Sequence, residues 1–372
     1  MEQELKLKAG EWVEVRNREE ILRTLDKQGR LEGMPFMPEM FAYCGQRLQV
    51  FKRAHKTCDT ATGAATGNYE GRKVTNAVHL DGIRCNGQFH GGCEAACLIF
   101  WKEAWLRRTS PGGAVSKAEP PRKESQHGPA GMSTLCTDAN VLASAQSKSS
   151  GPSKDELLYV CQATQVPTAT EPLSSTDWRQ YLEDYTSGNV GLGRMMSAFI
   201  YMGYRFLIRR GSFLRPALIR FYDAFQALLG GVPYPRRVGD IPIGEQTPTA
   251  RLNLRPGEWV RVKSYQAILA TCDGRLKNRG LVFDAEMVPY CGRTYRVLKS
   301  VTKIVDEATG KMVEMKNPCI ILEGVVCEAR YSECRLFCPR SIYAYWREIW
   351  LERVGENGVA VSEPDRNQAV SV

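Results

Sequence analysis

The sequence predicts a mainly β protein with some α: two matching small β-barrel domains, each followed by a Cys-rich helical appendix, with a disordered linker and a helical segment between them. Three observations predict this. The first is repetition. GEWVEVRNREEIL, from Gly10, recurs as GEWVRVKSYQAIL from Gly257, and EMFAYCGQRLQVFK, from Glu39, recurs as EMVPYCGRTYRVLK from Glu286, at a constant offset of 247 residues. Further on, HLDGIRC ending at Cys85 lines up with ILEGVVC ending at Cys327, Cys93 and Cys97 with Cys334 and Cys338, and WKEAWLRR from Trp101 with WREIWLERV from Trp346. The second is that each copy reads as short strands between turns, at the spacing of about 8 to 12 residues found in small barrels and sandwiches. The third is a change of composition between the copies. Two copies are too few for a solenoid, so two domains of similar build are the natural reading.

Taken in order, EWVEVRN and EWVRVKS are β-type runs behind a glycine, and REEILRTLD reads as a helical turn. QRLQVFKRA and TYRVLKSVTKIV alternate apolar and polar residues, as half-buried strands do. IVDEATGKMVEM places Thr-Gly between two β-type runs, a hairpin signal. After GRTYRV and its partner, the Cys-x3-Cys pairs read as helical, with Cys93 and Cys97 on one face and Trp101 and Trp105 continuing it. In the second copy Pro339 follows Cys338, so a fresh helix is expected there. The predicted divisions are residues 1–108, first barrel with its Cys-rich motif; 109–156, flexible linker; 157–250, helical and basic; 251–355, second barrel with its motif; and 356–372, disordered tail. The linker contains TSPGGAVSKAEPPRKESQHGPAGMS, too poor in apolar residues to offset its ordering entropy. In the helical segment, DWRQYLEDYTSG starts at Asp177 as an N-cap and stops at Gly188, and RMMSAFIYMGYRFLIRR is followed by FLRPALIRFYDAFQALLGG with Pro216 in its first turn.

The order of strands and turns in EWVEVRN through WKEAWLRR resembles an SH3-like barrel. The two end domains together resemble a bacterial Cys-rich family of tandem SH3-like barrels; the resemblance covers the ends and not the middle, and it implies a fold without an activity.

A chain of 372 residues with 43% hydrophobic and 24% charged residues is of ordinary globular composition, and a net charge of +9 spread over it does not require nucleic acid as a partner. MEQELKLKAGEWVEV carries no apolar run of the signal-peptide kind, and MMSAFIYMGYRFLI, the longest candidate for a membrane helix, is interrupted by Arg205. A cytoplasmic location follows as the expectation, with peripheral membrane association open. Its 13 cysteines should then be mostly reduced, and clustered reduced thiols favour metal ligation over a disulfide framework.

Four cysteines recur in each copy: Cys44, Cys85, Cys93 and Cys97 in the first, Cys291, Cys327, Cys334 and Cys338 in the second. Four is the ligand count of a structural zinc site or an iron–sulfur cluster, with zinc the expected metal and iron–sulfur the alternative. The spacing lacks the Cys-x2-Cys knuckle of common zinc modules. His90 belongs to the first copy alone and competes with Cys44 for the fourth position, since Cys85, His90, Cys93 and Cys97 could close a site by themselves. Cys44 and Cys291 read equally well as packed core thiols. Cys58 has no counterpart, Val305 standing at its matched position, and Cys136, Cys161 and Cys272 fall outside the pattern. Glu39 and Glu286 also match, as do Asp81 and Glu323; a carboxylate kept in both copies is expected to orient a turn or neutralise a basic neighbour.

There is no Walker A loop, HExxH or GxSxG elbow. Two functions therefore stand. One is a metal-binding, zinc-holding accessory or scaffold protein that binds another protein or an anionic polymer. The other is an iron–sulfur or zinc-thiolate enzyme with its active site in the first copy, where His90 and Cys93 would be the catalytic pair. The middle segment carries Arg194, Arg205, Arg209, Arg210, Arg215 and Arg220 among Met, Phe and Leu residues. Residues 194–220 are accordingly expected to pack the barrels, to bind a partner protein, or to meet an anionic membrane surface or nucleic acid.

Overall fold

The protein is described by a computed structural model, covering residues 5–62, 70–110, 136–148, 157–211 and 213–355. Most of the expected linker and all of the expected tail lie outside the described residues. The chain is mixed α and β and forms two compact units. One comprises Met1–Leu192, Val305–Val313 and Phe337–Arg340; the other comprises Gly193–Ile304, Glu314–Leu336 and Ser341–Val372. The expected helical segment 157–250 is thus divided between the units rather than standing as a domain of its own. Within the expected linker, residues 136–148 are ordered: Asp138–Ser144 is a helix capped by Thr137, and Gln146–Lys148 pairs with Leu157–Tyr159.

The first unit is built on a five-stranded sheet in the order Leu98–Lys102, Ala77–Arg84, Arg47–Arg53, Trp12–Val15, Leu106–Arg108. Its two edge strands are neighbours in the chain, joined by the 3-10 turn Glu103–Trp105. Trp101, Trp105, Phe36 and Met40 fill the core, with Phe36 edge-on to Trp101 at 6.3 Å and to Trp105 at 5.1 Å. The buried Glu103 carboxylate accepts from the backbone N–H groups of Lys6 and Leu7, both at 2.9 Å, and from Arg53 at 2.7 Å. The helix Gln162–Ala169 is tied to the sheet through Gln162. Its buried amide accepts from Phe100 N at 2.7 Å and donates to Phe100 O at 2.8 Å and Pro35 O at 3.0 Å, so one side chain completes an open strand edge.

The second unit holds a four-stranded sheet in the order Met312–Leu322, Thr294–Val305, Trp259–Val262, Leu351–Arg353; the hairpin tip Val305–Val313 counts with the first unit. Matched residues take matched places. Trp12 pairs with Gln49 and Val13 with Leu48; Trp259 pairs with Arg296 and Val260 with Tyr295, the same register at the offset read from the sequence. Trp105 Nε1 donates to Thr24 at 3.1 Å and Trp350 Nε1 to Thr271 at 2.9 Å. Each bond to a buried indole contributes about 1 kcal/mol. Glu348 accepts from Leu252 N and Leu254 N, as Glu103 does from its own N-terminal segment.

The expected helix through Cys93, Cys97, Trp101 and Trp105 is absent. Residues 93–97 are irregular, Leu98–Lys102 is a strand, and Glu103–Trp105 is a 3-10 turn. Gly91 and Gly92 lie at φ +62 and +74 and Ala96 at φ +50, which a helix cannot accommodate. LIFWK is buried at all five positions, and its apolar run of four, Leu98 to Trp101, suits a strand covered on both faces as well as a helix; period alone does not separate them. In the second copy Cys334 sits in the 3-10 turn Glu333–Arg335, and no helix follows Pro339: Tyr343 and Trp346 make isolated bridges to Val326 and Ile320.

The helices Arg179–Thr186, Leu192–Arg210 and Arg215–Leu228 fall where helices were expected, with Pro216 in the first turn of the last; the N-cap of the first is Trp178 rather than Asp177, which accepts from Arg179 N at 3.0 Å. None of the described helices is long and apolar enough to cross a membrane.

A buried carboxylate, thiol and imidazole as candidate metal centre

Three segments of the first unit converge. Pro38, its φ fixed by its ring, starts the 3-10 helix Pro38–Tyr43, whose second residue, Glu39, turns inward and is buried. Cys85 follows the strand Ala77–Arg84 directly, its N–H bound to Cys97 O at 2.9 Å, so that Cys85 and Cys97 close the base of a loop. Within that loop Gly92 N and His90 N both donate to Gly87 O, and Cys93 N donates to His90 O. Gly87 lies at φ +73, and a Cβ there would meet Cys93 O at 2.0 Å; the turn that aims His90 inward has room only for glycine.

The side chains of Glu39, Cys85 and His90 then meet, each offering a donor atom within 4.8 Å of the others. Glu39 Oε1 is 3.1 Å from Cys85 Sγ and 3.6 Å from His90 Nδ1, and Cys85 Sγ is 4.0 Å from His90 Nδ1. His90 Nε2 lies 3.2 Å from Val160 O. A carbonyl only accepts, so Nε2 donates to it and Nδ1 faces the other two groups. Glu39 Oε2 is buried and has no hydrogen-bond partner. Burial, then the charge of Glu39, pushes the Cys85 thiol far above its ordinary range; a bound cation would reverse both effects.

Two of these donors, Cys85 and His90, border a cavity of about 30 Å³, enough for one ion or water. Cys93, Cys97, Cys161, Glu307 and Arg340 also line it. Cys93 Sγ accepts from Val305 N at 3.3 Å. Burial pushes the Cys97 thiol up to about 12 and that of Cys161 up to about 11. Arg340 is fully buried; it donates to Cys58 O at 3.2 Å, to Thr60 at 2.6 Å and to Glu307 at 2.9 Å, and its Nε has no hydrogen-bond partner.

Of the residues expected from sequence, the structure therefore brings Cys85 and His90 together and sets Cys93 and Cys97 along the same cavity. Cys44 is elsewhere, packed against the core, where burial raises its thiol. In the second copy Cys291 packs on the core of the second unit, and burial pushes its thiol up to about 12. Cys327 is half-buried, with its N–H on Ile342 O; Cys334 is exposed; and Cys338 is buried and counts with the first unit. Among the described residues, Glu39, Cys85 and His90 form the one group of three such donors, and the four thiols of the second copy do not converge. Among the described residues, no group of three or more of the thiols expected from the repeat lies within 4.8 Å of one another.

Glu39 was the ligand candidate hidden in the sequence. Its match, Glu286, is buried too, yet its carboxylate accepts from Arg330 N at 2.9 Å and Tyr331 N at 2.5 Å. The second copy satisfies this carboxylate with backbone; the first leaves it facing a thiol and an imidazole. Cys161, which the repeat pattern excluded, and Arg340 join the site only through tertiary structure. No protein-family model matches the chain, and no curated protein matches it in sequence.

Proposed function

We propose that this chain is a zinc-binding accessory or scaffold protein whose first half, read as an SH3-like barrel, carries one metal between Glu39, Cys85 and His90. The single observation that carries the metal reading is the buried Glu39 carboxylate with one oxygen unpartnered, beside an imidazole nitrogen and a thiol. A buried carboxylate oxygen left without a partner is costly, and a divalent cation removes that cost. Zinc bonds of about 2.0 to 2.3 Å at tetrahedral angles put ligand atoms about 3.3 to 3.6 Å apart; the three distances here, 3.1, 3.6 and 4.0 Å, bracket that range, so closing on a metal takes shifts of a few tenths of an ångström. The bond from His90 to Val160 O is the outer contact that metal-ligating histidines usually make. One thiolate, one imidazole and one carboxylate suit zinc better than an iron–sulfur cluster, which takes mostly thiolates. The metal would clamp the 3-10 helix Pro38–Tyr43 to the loop after Ala77–Arg84, as Glu286 clamps its own loop through backbone donors. For the barrel reading, support comes from the strand order of the first unit and from the 3-10 turn between its last two strands.

An enzyme is the second reading, favoured by one observation: a set of three protein donors, two of which border a cavity that admits a water, is closer to a catalytic zinc than to a closed structural one. Cys93 and Arg340 would then stand nearest the reacting molecule.

Metal analysis of the purified chain tests the proposal. One equivalent of zinc that survives gel filtration is the expected result. Two equivalents would restore a site in the second copy, and a chain that stays metal-free when refolded with zinc removes the proposal.

A further inference from the structure

The two helices Leu192–Arg210 and Arg215–Leu228 of the second unit are apolar on two faces. One face is inward: Met195, Ala198, Tyr201 and Ile208 are buried, and Tyr222 joins them from the second helix. The other is open to solvent. On the first helix Leu192, Met196, Ile200, Phe206 and Leu207 are between 52% and 68% exposed, at helical spacing. On the second, Leu214, Phe221, Phe225 and Leu228 form a like stripe, and Phe213, between the helices, is 93% exposed. Scattered apolar residues need no partner, but two adjoining stripes with a phenylalanine at their turn do.

The charge around the stripes says what the partner is. From Leu192 to Leu229 there are six arginines and one acid, Asp223, which is already bound to Arg237. Arg209, Arg210 and Arg215 flank the turn that carries Phe213, and Arg210 lies 4.5 Å over the Phe206 ring. A second copy seated face to face would set arginine against arginine, because a two-fold interface pairs a surface with itself. Nucleic acid has phosphates for the arginines but nothing for the leucines and phenylalanines. A bilayer containing anionic lipid has both, acyl chains for the stripes and phosphates for guanidiniums that reach outward from an apolar stem. The same face also opens into a cavity of about 680 Å³ walled by Met196, Ile200, Phe221, Phe225 and Leu229. At that cavity Arg194 and Arg330 share the single carboxylate of Glu328, and the buried Tyr201 hydroxyl has no hydrogen-bond partner. Apolar walls with surplus positive charge and an unmet hydroxyl fit an anionic amphiphile.

We propose that the second unit docks on an anionic lipid bilayer through this helix pair, lying on the surface with Phe213 at the leading edge. Flotation of the full chain with phosphatidylcholine vesicles, with and without a third of phosphatidylglycerol, tests it. The expected result is capture by the anionic vesicles alone, weakened by high salt. Arg209→Glu with Arg210→Glu should lower the bound fraction at least about tenfold. Ile200→Asp with Phe221→Asp should do the same, with circular dichroism unchanged because all four positions are exposed. Three results would overturn the proposal: no capture of the parent chain, equal capture by neutral vesicles, or a parent dimer that Ile200→Asp converts to monomer.

Discussion

His90→Ala and Glu39→Gln are each expected to lower bound zinc from one equivalent per chain to less than about a tenth of that, because a site with three protein donors tolerates the loss of none. Cys44→Ser and Cys334→Ser should leave the zinc in place, since Cys44 packs against the core and Cys334 is exposed. Stability separates the metal role from a plain hydrogen-bonding one. In zinc-free protein Glu39→Gln replaces a buried carboxylate that has one unpartnered oxygen with an amide of the same shape, so it should be neutral or stabilising. At the matched position Glu286→Ala strands two part-buried backbone N–H groups and should cost about 2 kcal/mol without touching the zinc. Elemental analysis alongside urea denaturation reads both effects. Unchanged zinc in Glu39→Gln would remove the carboxylate from the ligand set.

Asp184→Ala is expected to destabilise the first unit by about 3 to 5 kcal/mol at neutral pH. The carboxylate of Asp184 is fully buried, accepts from Lys56 Nζ at 2.6 Å and lies 3.3 Å from His55 Nε2. Lys56 is itself buried, donates also to Gln180 at 3.2 Å, and sits over the rings of Tyr181 and Phe337. Without Asp184 its ammonium would be a buried charge with no counter-charge in contact. The pH dependence has a definite sign. Burial holds Lys56 below the ordinary lysine value of 10.5, and Asp184 pulls it part of the way back. The folded chain therefore binds fewer protons here than the unfolded chain, and stability rises with pH as the ordinary lysine range is approached. Loss of Asp184 lowers Lys56 further, so the deficit in the variant should shrink toward alkaline pH, where the unfolded chain also gives up this proton. Denaturant midpoints at neutral and alkaline pH would show it; a deficit that stays constant means that Lys56 keeps its proton in the variant.

The repeat was legible because it is a comparison within one chain. Matched residues such as Trp12 with Trp259, or Thr24 with Thr271, hold matched positions in sheet register and hydrogen bonding. Leu98–Lys102 was not legible as a strand: four apolar residues in a row, Leu98 to Trp101, show neither period, and the tryptophans four apart gave it a helical look. The deciding signals were the positive-φ residues before it, and nothing in their identity marks Ala96 as one of them. At the site, Cys85 and His90 stood out by residue type, while Glu39 stood out only as a carboxylate kept in both copies. That Glu286 is met by backbone and Glu39 is not depends on how two loops of different sequence close, which spacing does not encode. Cys161 lies 64 residues beyond Cys97 and reaches the cavity because Gln162 docks its helix on the open edge at Phe100.

X-ray absorption at the zinc edge tests the metal centre most directly. With Glu39, Cys85 and His90 as ligands, the spectrum should show one sulfur at about 2.3 Å and lighter nitrogen and oxygen donors at about 2.0 to 2.2 Å. A shell of three or four sulfurs would hand the site to the cysteine cluster instead, and a chain that binds no zinc would contradict the metal centre altogether.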